Sequence, residues 1–148
     1  MQLTFLKPHQ VSHHWHQLKP LFAKVIAKAV HGEYTLENIK DMAEAGHYTL
    51  GIATDHNQAP VMAIAFETIH YPSGRKGINV LAMGGHSLHQ FMTRFLPPFS
   101  QWCRQGGADW IECMVSRGME RIHHRYGFKT LYRNLRIPLK PTELKEKP

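Results

Sequence analysis

Cysteine and long apolar runs are both scarce in this chain. Its 148 residues include two cysteines, Cys103 and Cys113, whose spacing does not match a zinc site. Two cysteines also cannot build the framework of a disulfide-rich secreted domain, so we expect reduced thiols packed in the core of a cytoplasmic protein. No stretch approaches the roughly 18 apolar residues of a membrane span, and the opening MQLTFLKPHQ lacks the apolar region of a signal peptide. Neither secretion nor a membrane partner is therefore expected.

Acidic residues are few as well. The 11 Asp and Glu residues stand against 18 Lys and Arg, which gives a formal charge of +7 at pH 7, and there are 12 His besides. This balance favours an anionic partner: a phosphate-bearing cofactor, nucleic acid or an acidic protein. A basic solvated surface explains the same balance equally well.

The length and composition are those of one ordinary globular domain. Apolar residues make up 43% of the chain, enough to build a core. We place this single domain over residues 1–139. Residues 140–148, KPTELKEKP, are charged, framed by prolines and poor in apolar side chains, so they are expected to form a flexible charged tail.

Helical spacing of apolar residues marks two helices in the first third of the chain. The stretch VSHHWHQLKPLFAKVIAKAVHG predicts the first, with Ser12 as its N-cap and Pro20 dividing it into two pieces. The second is expected to begin after Thr35, its N-cap, and to end at Gly46.

Strands and helices then alternate. The segments YTLGIATD, PVMAIAFETIHY and INVLAMGG are joined by turns and should pair as antiparallel strands. After them come a helix kinked at Pro97-Pro98, the strand DWIECMVS, the helix GMERIHHRYG and a last extended segment, FKTLYRNLRIPL. This order predicts an α+β fold in which helices flank a mixed, mostly antiparallel sheet.

Together with two local motifs, this order resembles the GNAT superfamily of N-acetyltransferases over residues 1–139. One motif is the strand-to-helix junction at Gly84-Gly85, and the other is the helix that closes on Gly127-Phe128 in RIHHRYGFK. The resemblance implies a GNAT-like sheet whose central strands part to hold acetyl-CoA. It also implies an enzyme that transfers the acetyl group directly to an amine, here an unknown amine substrate, without a metal.

The family's cofactor loop has a counterpart in this chain. In the family, backbone amides of a glycine-containing loop hold the pyrophosphate of acetyl-CoA at a helix N-terminus. The resemblance places that role on Met83, Gly84, Gly85, His86 and Ser87. The loop departs from the family pattern, because it has neither Arg or Gln at its entrance nor the Gly-x-Gly spacing. A tight strand-to-helix turn, capped by Ser87, explains the same residues.

Three residues are candidates for catalysis. Glu67 and Glu112 lie on strands expected to be central, where a carboxylate can deprotonate an amine. His123 stands where the family often has a tyrosine acid, four residues before the glycine of Gly127-Phe128, and a histidine can protonate a departing thiolate. The alternatives are a solvent-facing position on the sheet for each acid, and an exposed position on a short basic helix for His123.

A narrower resemblance leads to a different function. Gly84-Gly85 and the run SRGMER, residues 116–121, are similar to segments of degenerate GNAT-like proteins encoded by tailed bacteriophages. That resemblance implies a non-catalytic structural or assembly protein, such as an internal virion protein, with a basic partner-binding surface. Its partner would be a phage virion protein, and its location the host cytoplasm or the virion.

Two further site types have weaker sequence support. His13 and His16 of HHWH could share a helix face, but two imidazoles without a third ligand do not make a metal site, so no metal is expected. Basic residues recur at intervals of three to four in the last third of the chain, which is consistent with contacts to nucleic acid if they share one surface. They are Arg117, Arg121, Arg125, Lys129, Arg133 and Arg136.

Overall fold

A computed structural model describes residues 2–29, 31–86 and 88–140. The strands are β1 (Gln2–Leu6), β2 (Thr49–Thr54), β3 (Pro60–His70), β4 (Lys76–Gly85) and β5 (Trp110–Cys113). The helices are α1 (Val11–Ala29), α2 (Leu36–Glu44), α3 (Leu88–Arg94), α4 (Leu96–Gln105) and α5 (Arg117–Arg125). Residues 141–148, most of the expected flexible tail, lie outside the described part of the chain.

The five strands form one mixed sheet in the order β1-β2-β3-β4-β5. The first four strands pair antiparallel, and β5 runs parallel to β4. The parallel pair follows from the connection, because α3 and α4 carry the chain back to the end of the sheet where β4 began. The predicted α+β fold with a mostly antiparallel sheet is confirmed.

Helices cover both faces of the sheet. On one face, α1 and α2 bury apolar side chains such as Phe22 and Ile39 against the small Ala65 of β3. On the other face, Phe91 of α3 and Phe99 of α4 pack against Phe66. Each face therefore has its own core, as expected for a sheet with two apolar faces. Among the described residues, no helix is long and apolar enough to cross a membrane.

The N-terminal region differs from the sequence prediction in three ways. Gln2–Leu6 forms strand β1, which was not predicted, and it pairs with β2 at the edge of the sheet. Helix α1 begins at Val11, directly after a 3-10 turn, so Ser12 lies inside the helix and is not its N-cap. Pro20 does not divide α1, because it lies on the exposed side, where the lost hydrogen bond faces solvent.

The second helix and the kinked helix are close to prediction. Thr35 caps α2 as expected, and its hydroxyl accepts a hydrogen bond from the Asn38 amide at 3.1 Å. The break between α3 and α4 falls at Phe95, ahead of the predicted kink. Pro97-Pro98 lie in the first turn of α4, where a missing amide proton leaves no helical hydrogen bond unmade.

The prediction that the last extended segment, FKTLYRNLRIPL, is a strand was wrong. Residues 129–138 form neither helix nor strand, and every residue from Lys129 to Lys140 is exposed. The alternation of apolar and polar residues that predicted a strand is present, but nothing among the described residues pairs with it. Phe128, just before this segment, is half-buried in the core beside α3 and α4.

Gly84 allows α1 to pack closely against β4. A Cβ atom at this position would lie 2.2 Å from the Leu21 carbonyl oxygen and 2.6 Å from a Val25 methyl. We expect Gly84→Ala to lower the free energy of unfolding by about 1–3 kcal/mol, because α1 must move away. Urea denaturation measures the change.

Gly118→Ala is the matched control, because no atom lies within 4 Å of a Cβ added in that first turn of α5. It should leave stability unchanged or raise it by up to about 1 kcal/mol. Equal stabilities of the two variants would contradict the close packing of α1 on β4.

Candidate functional site

Strands β4 and β5 part halfway along β4, on the β5 side of the sheet. Their pairing ends at Val80, opposite Cys113, whereas β4 continues to Gly85. At this point β4 contains a bulge: Val80 and Ala82 face consecutive residues of β3, so Leu81 has no partner across the pair. A bulge bends and twists its strand, which turns the second half of β4 away from β5. We call the resulting gap the wedge.

The edge of β4 that faces the wedge carries free backbone groups. The His86 amide donates a hydrogen bond to the Val61 carbonyl on β3, at 2.9 Å. Because backbone groups alternate in direction along an antiparallel strand, the amides and carbonyls of Met83 and Gly85 point away from β3. They therefore face the wedge.

The two glycines at the end of β4 are required by packing. Gly84 lies against α1, as described above. Gly85 has a φ of +147°, and a Cβ atom there would lie 2.1 Å from the Val61 carbonyl oxygen. Both glycines lie in strand β4, paired with Ala63 and Met62, so close packing explains them. Ser87, the remaining residue of the candidate cofactor loop, lies outside the described residues.

Polar residues form a row across three strands at the base of the wedge. Glu67 on β3 pairs with Asn79 on β4, and Asn79 pairs with Glu112 on β5. Paired residues project from the same face of a sheet, so the three side chains are neighbours on the face that carries α1. The Asn79 amide donates to a Glu67 carboxylate oxygen at 3.0 Å. The structure thus brings together both acids identified from the sequence.

The Glu112 carboxylate is held by two aromatic side chains. The Tyr71 hydroxyl donates to it, with O···O distances of 2.7 and 2.6 Å, and the Trp110 indole N–H donates at 2.5 Å. The carboxylate lies over Gly77, where an added Cβ would be 2.5 Å from its oxygen. The hydrogen bond between Tyr71 and Glu112, and the negative charge of Glu112, help to raise the pKa of Tyr71.

Two more tyrosines extend this polar face towards the wedge. The Tyr34 hydroxyl donates to the Leu81 carbonyl at 2.5 Å and so satisfies the bulge residue. Burial, with smaller effects of nearby negative charge, raises the pKa of Tyr34 to about 12. Burial and the charge of Glu67 also raise the pKa of Tyr48. Both hydroxyls therefore stay protonated at neutral pH.

His123 lies on the opposite face of the sheet from the two acids. It is 6% exposed, so the predicted exposed position on a basic helix is wrong. Its Nδ1 donates to the Met119 carbonyl at 2.8 Å, and its ring packs edge-on against Phe128. Because a carbonyl only accepts, Nδ1 must carry a proton. Nε2 of the neutral ring is then an acceptor, and it becomes a donor only in the imidazolium.

Side chains nearly fill the wedge on the side of α3 and α4. An apolar cavity of about 20 Å³ remains there. Such a volume holds about one water molecule. Its walls include Met83, Phe91, Cys113, His123 and Phe128.

The other sequence candidates are placed as follows. Among the described residues, no group of three His, Cys, Asp or Glu side chains is arranged to hold a metal ion. Of the six basic residues considered for nucleic acid, Arg133 lies 3.8 Å from Glu120 and Arg136 lies 3.1 Å from Glu33. These two cations thus face acidic side chains of the same chain.

Sequence reasoning missed the partners of the two acids. Asn79, Tyr71 and Trp110 contact Glu67 or Glu112, yet none was singled out. A signal for Asn79 was available, because it interrupts an apolar strand and the turn of the β3–β4 hairpin fixes which residue it faces. No comparable signal exists for the contact of Tyr71 with Glu112, which brings residues 41 positions apart together.

The chain superposes on several solved structures of acetyltransferases. The ribosomal-protein-alanine N-acetyltransferase of Brucella melitensis biovar Abortus superposes with a TM-score of 0.70 at 10% identity, over 94% of this chain and 100% of that one. An aminoglycoside acetyltransferase from an uncultured soil metagenomic sample, in complex with sisomicin, superposes with a TM-score of 0.70 at 10% identity. The match covers 94% of this chain and 96% of that one. A Trypanosoma brucei acetyltransferase superposes with a TM-score of 0.61 at 15% identity, and the match covers 93% of this chain and 99% of that one.

These likenesses show the fold, which is that of the GNAT acetyltransferases. No protein-family profile and no curated protein sequence matches the chain. At the wedge, the arrangement combines an open strand edge with two carboxylates on one face. Such a site can bind an extended amide-containing group and accept a proton from a cation held beside it.

Both cysteines should be unreactive in the folded chain. Burial raises the pKa of Cys103 and of Cys113 to about 11, from 9.0. At pH 8 we expect native thiols to react with a thiol reagent about 100-fold more slowly than in the unfolded chain, because the thiolate fraction falls tenfold per pKa unit. Rapid labelling of either native cysteine, followed by mass spectrometry, would contradict this burial.

Proposed function

We propose that the chain is an acetyl-CoA-dependent N-acetyltransferase that transfers the acetyl group directly to an amine. One observation carries the proposal: β4 and β5 part after Val80 and Cys113, and the row of Glu67, Asn79 and Glu112 lies at the base of the gap. The fold alone would not support an activity, since one fold serves many functions. The position of two carboxylates beside an open strand edge adds the chemistry.

The open edge of β4 suits the arm of the cofactor. That arm is extended and carries two amide groups, which can pair with free backbone groups as an added strand does. Met83 and Gly85 would provide those groups. When bound, acetyl-CoA supplies the activated acetyl thioester.

The phosphate end of acetyl-CoA fits the site less closely than the amide arm does. The His86 amide is already bonded to Val61, so it cannot also contact a phosphate. The exposed side chains of His86 and Arg94 would contact the phosphates instead. This arrangement replaces part of an amide cradle with basic side chains.

Glu67 and Glu112 would prepare the amine. An amine is mostly protonated at neutral pH and must lose a proton before it can attack a thioester. Glu67 would accept that proton, directly or through a water, while Asn79 fixes its carboxylate. Glu112 would attract the cationic acceptor, held in place by Tyr71 and Trp110.

His123 would serve the leaving thiolate from the other face. As an imidazolium it can donate a proton from Nε2, since Nδ1 is fixed by Met119. The cavity beside it is about 20 Å³, too small for the end of the cofactor. Side chains such as Met83 must therefore move when the cofactor binds.

The second candidate is a non-catalytic bacteriophage structural or assembly protein that retains the fold. Two observations favour a loss of catalysis: the occupied His86 amide and the nearly filled wedge. A protein that no longer bound the cofactor would be free to fill the wedge with apolar side chains. Cofactor binding separates the two candidates.

Calorimetric titration with acetyl-CoA provides that test. We expect a dissociation constant near the micromolar range and a rise in Tm, because a ligand that binds only the folded state stabilises it. Adenosine 3′,5′-bisphosphate, which lacks the amide arm, should bind much more weakly if the edge of β4 is used. Absence of binding at millimolar acetyl-CoA would exclude the enzyme and favour the structural protein.

The two carboxylates can be tested by substitution. Acetyl transfer to a panel of amines can be measured through the thiol that acetyl-CoA releases. Glu67→Gln should lower kcat/KM about 100-fold or more, because a general base is lost. Glu112→Gln should chiefly raise the KM for the amine, since it removes attraction for the cation. Neither change should weaken acetyl-CoA binding.

Glu37→Gln, on the exposed face of α2, is the matched control and should leave all rates unchanged. Full activity of the Glu67→Gln variant would remove the role proposed for that residue.

A further inference from the structure

A tyrosine from the loop between α1 and α2 contacts the bulge in β4. Residues 31–35, which we call the α1–α2 loop, place the half-buried ring of Tyr34 against the core on that face of the sheet. The Tyr34 hydroxyl donates to the carbonyl of Leu81, 47 residues further along the chain, at 2.5 Å. Leu81 is the residue that has no partner across the β3–β4 pair. The loop therefore supplies a hydrogen bond that β3 does not.

This hydrogen bond holds the bulge in one shape. A half-buried carbonyl without a donor costs free energy, so a free Leu81 carbonyl would turn towards water. The peptide units that follow it in β4 would turn with it, and they lead directly to Met83 and Gly85. The Tyr34 hydroxyl thus fixes the direction in which the open edge of β4 presents its backbone groups.

The α1–α2 loop is itself held from the far end of the chain. The Glu33 carboxylate accepts a hydrogen bond from the His31 amide at 2.6 Å, which closes the loop on itself. The Arg136 guanidinium donates to the His31 carbonyl and, at 3.1 Å, to Glu33. A guanidinium can contact both groups because its donors form a rigid fork. Tyr34 directly follows Glu33, so a loop fixed at Glu33 limits where the tyrosine ring can lie.

The contacts of Arg136 act locally and add little to overall stability. The side chains of Arg136 and Glu33 are 38% and 30% exposed, and ion pairs of such exposure contribute little to the free energy of unfolding. Arg133, three residues earlier, lies 3.8 Å from Glu120 of α5 instead. The two arginines therefore separate a hold on the loop from a general effect of positive charge.

We propose that Tyr34 is a positioning residue for the wedge, and that Arg136 keeps it in place through Glu33. The contacts form a chain that runs from residues 129–140 to the open edge of β4. Its effect on acetyl-CoA rests on the proposed function, because Met83 and Gly85 are the groups that would meet the amide arm. Its effect on the shape of β4 does not depend on that function.

Amide hydrogen exchange in the free chain tests the role of Tyr34 without the cofactor. In Tyr34→Phe, the amides of Gly84 and His86, which lie beyond the bulge, should exchange about tenfold faster, because one hydrogen bond that holds the bulge is lost. Amides of β2 should keep their rates. Tyr48→Phe is the matched control and should change none of these rates. It removes a hydroxyl from the same core cluster and leaves the Leu81 carbonyl bonded.

Arg136→Met tests the hold on the loop with a change on the surface that does not threaten folding. The amides of Gly84 and His86 should exchange about threefold faster, because the loop is loosened while the tyrosine hydroxyl remains. The midpoint of urea unfolding should stay unchanged, since the lost ion pair is exposed. Arg133→Met is the matched control and should leave exchange in β4 as it is in the wild type.

Calorimetric titration with acetyl-CoA tests the consequence for the cofactor. Tyr34→Phe should raise the dissociation constant about tenfold, and Arg136→Met about threefold. Arg133→Met should leave it unchanged. Adding Arg136→Met to Tyr34→Phe should weaken binding no further, because Arg136 acts through a hydroxyl that is already absent.

Uniformly faster exchange across the whole sheet in Tyr34→Phe, with unchanged affinity for acetyl-CoA, would show a purely structural role and overturn the proposal. So would equal effects of Arg136→Met and Arg133→Met, or losses that add in the double variant. A wild-type chain that does not bind acetyl-CoA would remove the proposed function. Exchange at Gly84 and His86 would then still decide whether Tyr34 shapes the wedge.

Discussion

The bulge at Leu81 is the constraint on which the candidate site depends. It ends the pairing of β4 with β5 after a short stretch and turns the rest of β4 aside. Beyond this point β5 has ended at Cys113 and helix α5 begins at Arg117, so the backbone groups of Met83 and Gly85 have no partner on β5. The Tyr34 hydroxyl meets the bulge carbonyl, which removes the cost of leaving that group unpaired.

The same bulge separates two chemical environments. Before it, the row from Glu67 to Glu112 is polar and partly exposed. After it, small residues such as Gly84 let α1 approach the sheet closely, and the opposite face is closed by aromatic side chains. An amine could approach the carboxylates on the first face, whereas His123 is buried and lines the apolar cavity on the other face. The two faces therefore differ in both access and polarity.

Much of the fold around the candidate site could be predicted from the sequence, wherever local patterns determine the structure. The turn between β3 and β4 specified their hairpin, in which His70 pairs with Lys76. Counting three residues back from His70 and three forward from Lys76 then pairs Glu67 with Asn79. The pairing of Asn79 with Glu112 could not be predicted, because a parallel register depends on how α3 and α4 pack. Burial of His123 was missed for a similar reason: the basic residues around it suggested an exposed helix, and only packing of α5 determines its inward face.

Amide hydrogen exchange along β4, followed by nuclear magnetic resonance, tests the account most directly. In the free chain, the amides of Met83 and Gly85 should exchange quickly, whereas those of Gly84 and His86, bonded to β3, should be protected. Saturating acetyl-CoA should slow exchange at Met83 and Gly85 and leave their neighbours unchanged. Protection of all four amides in the free chain, or no response to acetyl-CoA, would contradict an open edge that receives the cofactor.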